Sequence, residues 1–173
     1  TEELEEKVEK ALTWLNDLSI SISFDTWILY LVILVSGLRE DKIKELNDRF
    51  NLDKNLLYRL LFTLEVDDVI EELRNAEDSS SIYYLLDELA IEDILLILIK
   101  DFRLEDKIKL YLEELQWVEI EVSGDDIIEL GYEPGPLFKE ALKEIRTAKL
   151  NGKLLSYQEE KEYLKSYLSE SEE

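Results

Sequence analysis

Carboxylates, hydroxyls and ammonium groups make up the chemical repertoire of this chain. Its 173 residues include no Cys and no His. Thiol nucleophiles, disulfides, thiolate- or imidazole-bound zinc and imidazole general bases are therefore excluded. Two carboxylate pairs, Asp67-Asp68 and Asp125-Asp126, could in principle hold a divalent ion. Adjacent helical positions point about 100° apart, so neither pair converges on one ion unaided. Both pairs sit at expected helix starts, where acidic side chains suit the positive end of the helix dipole. The capping reading is preferred, and no metal ligand is assigned. No Gly-rich phosphate loop is present, and no Ser, Lys or Tyr stands beside a recognisable base. No catalytic residue is expected in this chain.

Binding chemistry is better represented. Tyr83, Tyr84, Tyr111, Tyr157, Tyr163 and Tyr167 could stack on bases. In a helical protein the commoner role is to cover the core edge with the hydroxyl in water, and that reading is preferred. Lys139, Lys143, Arg146, Lys149 and Lys153 fall within one stretch. The first three follow i, i+4, i+7 spacing and so share a helix face. Such a stripe is a candidate phosphate contact. The alternative is a solvated face whose cations pair locally with Glu140 and Glu144. Spacing alone leaves both readings open.

Composition sets the frame for these residues. A formal charge of −22 opposes broad attraction to nucleic acid or anionic membrane, so any such contact must be local. Apolar residues at 46% exclude a disordered chain despite 36% charged residues. The runs Trp27–Val35 and Ile94–Ile99 fall short of the roughly 20 apolar residues needed to span a membrane. Glu2, Glu3, Glu5 and Glu6 replace the basic start of a signal peptide, which points to the cytoplasm. The absence of Met, even at position 1, makes Thr1 an expected internal or processed residue of a longer chain. Abundant Glu, Lys and Ile suggest a thermophilic source. Nothing in the sequence speaks to oligomeric state.

The elements that must position these residues are helices. Only two prolines and five glycines interrupt long Leu/Glu/Lys-rich stretches. A first amphipathic helix is predicted over 2–18, followed by a connector at Ser19–Ser23. A second helix over 24–37 is apolar nearly all round and should be the most deeply buried. A short helix from Asp41 to Phe50 follows, with Asn51 as left-handed cap. Asp53 caps the next helix, with a stripe at Leu57, Leu60, Leu61 and Leu64. After a polar break at Asp78 come helices near 81–89, 91–100 and 104–116, then an extended connector at Val118–Val122. Ser123–Leu130 forms a short helix closed by Gly131. Pro136 occupies the first turn of a long helix to Leu150. Ser156 and Glu159 form a capping box for a final helix that frays into Ser169–Glu173. The expected fold is all-α, an irregular multi-helix bundle with a small C-terminal helical tail. We place a body domain at 1–117 and a tail domain at 118–173.

The segment Ser123–Ile145 carries Gly124, Asp126, Gly131, Pro134, Gly135, Pro136, Leu142 and Ile145 in a specific order. It resembles the signature near the C-terminus of bacterial class II tRNA nucleotidyltransferases. That group comprises the CCA-, A- and CC-adding enzymes and the related poly(A) polymerases. The downstream Ala148–Gly152 and the box at Ser156 fit as well. Trp27–Leu38 resembles the first long body helix, and Ser80–Leu86 the short helix after the central break. Ile127 stands for the usual Leu, and Phe138-Lys139 for an Ile-Gly pair. The resemblance implies a division of labour. A catalytic head holds Mg²⁺ with ATP or CTP, and a neck reads the incoming base. Neither motif occurs here, so the chain corresponds to the body and tail, without cofactor of its own. Its implied partners are tRNA, gripped at the elbow by phosphate and shape contacts, and the head and neck of the same enzyme. The competing expectation is a non-catalytic helical protein–protein module that docks a partner in an apolar groove.

Overall fold

The computed structural model describes residues 2–170. Ser171–Glu173, the end of the expected fraying segment, lie outside the described residues. Helix follows helix, and no strand occurs among the described residues. The helices are α1 (Glu2–Asn16), α2 (Thr26–Val35), α3 (Glu40–Phe50), α4 (Lys54–Phe62), α5 (Val66–Asn75), α6 (Ser79–Leu86), α7 (Ile91–Lys100), α8 (Glu105–Glu113), α9 (Gly124–Glu129), α10 (Pro136–Leu150) and α11 (Tyr157–Glu170). Short 3₁₀ turns flank α8, at Phe102–Leu104 and Leu115–Trp117.

Local chemistry explains most boundaries. Asp53 accepts from the Asn55 and Leu56 amides, satisfying donors that have no partner inside α4. Asp78 does the same for Ser81 at the start of α6. Asn51 adopts the left-handed conformation (φ 47°) that ends α3. The last carbonyls of α5 are closed from outside: the Lys107 ammonium donates to the Leu73, Arg74 and Ala76 oxygens at 2.7–2.9 Å.

Packing corrects two expectations. The most buried helix is α7, in which every residue from Glu92 to Ile99 is out of water. α2 packs against α7 and buries Leu29, Val32, Ile33 and Val35, but leaves Trp27 58%, Tyr30 50% and Leu34 79% exposed. An all-apolar helix is thus only half covered, because neighbours reach one side of it. On α4 the stripe is rotated. Leu56 and Leu60 are buried, whereas Leu64 falls in the turn beyond the helix and is exposed. The extended segments at Ser19–Ser23 and Val118–Val122 are connectors, as expected.

Two apolar clusters result. One runs from Val8 through Leu115 and is centred on α7. The other gathers Val122, Ile127, Ala141, Ile145, Ala148, Leu154, Leu164 and Leu168 around α10 and α11. Leu150, at the end of α10, belongs to the first cluster, so α10 is anchored in both.

Candidate nucleic-acid interface

The turn residues singled out in the sequence launch α10 and brace it. Ser123 opens α9: its amide donates to the Asp126 carboxylate at 2.9 Å, while its hydroxyl accepts from the Asp125 amide. Asp126 also accepts from the Tyr157 hydroxyl and pairs with Lys161 at 3.2 Å, tying α9 to α11. These donors, the Tyr157 hydroxyl foremost, pull its carboxyl pKa down to about 2. Gly131 has φ 97°, a left-handed conformation that side chains resist, and it reverses the chain after α9. Pro136 begins α10 where no amide proton is needed. The Phe138 ring lies 3.5 Å from where a Gly124 β-carbon would stand, so a side chain there would touch it. In this turn Asp125-Asp126 is a capping element. Asp67 pairs with Lys100 at 2.9 Å. Among the described residues no three carboxylates gather in a way that could hold a metal ion.

α10 then lies against α6, and the two are fastened by polar contacts. The Ser80 amide donates to Asn151 Oδ1 at 2.9 Å, and Asn151 Nδ2 donates to Ser80 Oγ. The Tyr84 hydroxyl donates to the Lys143 carbonyl and bonds Thr147 Oγ1. Between the helices runs a groove of about 470 Å³ lined by Tyr83, Tyr84, Asp87, Lys139, Lys143 and Arg146, among others. Lys139 and Lys143 are exposed, and Arg146 is half-buried. The Lys143 ammonium stands 5.0 Å from the centre of the Tyr84 ring. Arg146 donates to the Tyr83 hydroxyl at 3.0 Å, which fixes the guanidinium while leaving most of its donors available. Tyr83 is buried and packs edge-on against Tyr84 at 5.3 Å. Burial first, and then Asp87, push its phenol pKa up. The same causes raise Tyr111 behind it to about 12.

The local ion pairs expected of a merely solvated face do not form. Glu144 turns away and accepts from the Tyr163 hydroxyl. Among the described residues Lys139, Lys143 and Arg146 make no ion pair. The groove is nevertheless mixed in sign, because Asp87 and Glu88 line its α6 side.

The other two basic candidates go elsewhere. Lys149 points to α11, where it meets Glu160 at 2.5 Å, with Glu121 of the connector before α9 at 3.8 Å. Glu160 is fully buried and also accepts from the Glu121 and Val122 amides, so Lys149 completes a structural tie. Lys153 is exposed in the turn after α10 and does not line the groove. Sequence reasoning had Tyr83 and Tyr84 as core-edge residues and did not connect them with the stripe. Asp87, Glu88 and Thr147 carry no sequence signal for this site, and Asn151 carries one only within the Ala148–Gly152 match, since the approach of α6 alone brings them together.

The architecture is that of a helical body with a helical appendage whose linking helix presents cations beside tyrosines. No protein-family model matches the chain. Its sequence is 27% identical over 164 residues to the A-adding tRNA nucleotidyltransferase of Geobacter sulfurreducens, covering 90% of this chain and 19% of that protein. Among solved structures, the Thermotoga maritima CCA-adding enzyme complexed with tRNA has the same fold. It superposes with a TM-score of 0.73 at 22% identity, over 96% of this chain and 41% of that one. A CCA-adding enzyme in complex with ATP gives 0.71 at 22% identity, over 97% and 40%. Sequence and fold together relate the chain to one part of the tRNA nucleotidyltransferases. It spans about a fifth of the curated relative and about two fifths of the solved ones.

Proposed function

We propose that this chain is the tRNA-anchoring body and tail of a tRNA nucleotidyltransferase that adds CCA, CC or the terminal A. It grips the sugar–phosphate backbone at the groove between α6 and α10. The observation that carries this reading is the placement of Lys139, Lys143 and Arg146. On a chain of charge −22, these three cations share one groove without ion-pair partners. A-form RNA is recognised mainly by shape and by phosphate and ribose contacts, which such a groove can supply. The surrounding acidic surface confines RNA to it.

In this reading nucleotide transfer takes place on a head and neck outside this chain, where Mg²⁺ and ATP or CTP would be held. No three of the described carboxylates gather as a metal-binding group, and this reading assigns them no catalytic step. The half-covered face of α2, with Trp27, Tyr30 and Leu34, supports a contact with another protein region, for which the head and neck are the natural choice. No helix among the described residues is long and apolar enough to cross a membrane. A cytoplasmic site of action fits a tRNA-processing role.

Fluorescence anisotropy of labelled tRNA with the whole chain tests the proposal. Binding should be saturable and weaken steeply with salt. The triple variant Lys139→Glu, Lys143→Glu, Arg146→Glu should lose it by more than about tenfold while circular dichroism stays unchanged. Equal binding by the variant would refute the groove, and absence of binding by the parent chain would refute the function.

A further inference from the structure

Arg146 differs from most arginines of this chain in what holds it. Arg39, Arg59, Arg74 and Arg103 each pair with a carboxylate. Arg146 is half-buried, yet its side-chain hydrogen bond goes to a neutral group, the Tyr83 hydroxyl, at 3.0 Å. A carboxylate is not lacking, because Asp87 lines the same groove. A guanidinium partly withdrawn from water gains more from a carboxylate than from a phenol. Arg146 and Asp87 nevertheless form no ion pair among the described residues.

Tyr83 has the placement to keep them apart. Tyr83 and Asp87 stand one turn apart on α6, so their side chains share a face. Tyr83 is 4% exposed, and its ring packs against Tyr84 and Tyr111, with ring centres 5.3 and 6.2 Å away. Packing on both neighbours fixes the ring, and with it the hydroxyl that Arg146 donates to. The Arg146 guanidinium also stands 6.0 Å from the centre of the Tyr83 ring. Asp87 acts on the same hydroxyl. Burial first, and then the interaction with Asp87, push the phenol pKa up, while Arg146 pulls it down. One immobile hydroxyl thus serves both a cation and an anion.

We propose that Tyr83 is a positioning residue, which holds the Arg146 guanidinium off Asp87 and so keeps its charge available to a phosphate of bound RNA. The inference rests on the tRNA-binding reading of this groove and names the side chain that decides whether one of its cations is spent. A neutral hydroxyl anchors the guanidinium without cancelling its charge, and most of its N–H donors stay open to a phosphate. Without the hydroxyl, Arg146 turns to Asp87. The resulting ion pair then competes with RNA for the same donors.

A double-mutant cycle on tRNA binding by the whole chain, read by fluorescence anisotropy, tests the role. Tyr83→Phe should weaken binding about fivefold, the strength of a competing surface ion pair. It should also lower the slope of log affinity against log salt by about 1. In an Arg146→Ala background the same substitution should change affinity by less than about 1.5-fold. Adding Asp87→Asn to Tyr83→Phe should restore the parent affinity or exceed it, since no carboxylate remains to take the guanidinium. A hydroxyl that only supports the fold would cost the same in both backgrounds and would not be rescued at Asp87. Either result would overturn the positioning role alone, provided the triple charge reversal still abolishes binding. Absence of tRNA binding by the parent chain would overturn the function and this role together. If circular dichroism shows Tyr83→Phe to be unfolded, exposed Asp87 offers a second variant that leaves the core untouched. Asp87→Glu extends the carboxylate toward Arg146 and should weaken binding about two- to threefold, and unchanged binding there would overturn the role.

Discussion

The two sides of α10 carry the same residue types to opposite ends. Toward α11, Lys149 is drawn onto the buried Glu160, and its charge is spent inside the protein. Toward α6, Lys139, Lys143 and Arg146 line one groove with no carboxylate bound to them, Lys143 over Tyr84 and Arg146 over Tyr83. The difference teaches that a basic residue on an acidic protein is not a binding residue by default. What decides is whether a neighbouring element offers a desolvated anion. Glu160 does so because two backbone amides already stabilise its charge in the core.

The comparison can be broken most forcefully at Lys149. Lys149→Ala leaves Glu160 buried without its cation and should cost about 3 kcal/mol of stability, read by urea unfolding. tRNA affinity should be lost only where the tail unfolds. Next in size is the turn that supports both sides. Asp126 has a folded pKa near 2, below its ordinary 3.8, so its stabilisation is complete above about pH 5 and is lost as pH falls through 2. Asp126→Asn should remove about 2 kcal/mol at pH 7 and flatten the acid limb of the stability curve.

On the α6 side the expected effects move from stability to affinity. Lys143→Glu should change stability by no more than about 0.5 kcal/mol and weaken tRNA binding several-fold. The slope of log affinity against log salt should fall by about 1. A large loss of stability instead would put Lys143 in the same class as Lys149. The smallest effect sharpens the picture from the other direction. Asp87→Asn removes a carboxylate from the groove and should raise tRNA affinity about two- to threefold at low salt, with no gain at high salt.

Much of the scaffold is legible in the amino-acid sequence. The caps at Asp53, Ser123 and Ser156, the left-handed Asn51 and the first-turn Pro136 are local chemistry, set by a residue and its neighbours within one turn. The basic stripe was legible for the same reason, since i, i+4, i+7 spacing defines a face wherever the helix sits. α2 and α7 mark where this stops. Both are apolar runs, and composition favours α2 for the interior. Yet α7 is surrounded and α2 is covered on one side only. Periodicity tells which side of a helix could be buried. It does not tell how many neighbours will arrive.

By itself the sequence determined an all-helical chain without thiol or imidazole chemistry, its turn motif, and the face shared by Lys139, Lys143 and Arg146. Those follow from side-chain types and from backbone geometry repeating over a few residues. Only the tertiary structure decided that Lys149 leaves that group, that tyrosines of α6 flank the rest, and that Tyr83 rather than Asp87 holds Arg146. Each of those depends on contacts between residues some 10 to 70 positions apart, where packing and desolvation rather than local spacing fix the energy of a charge.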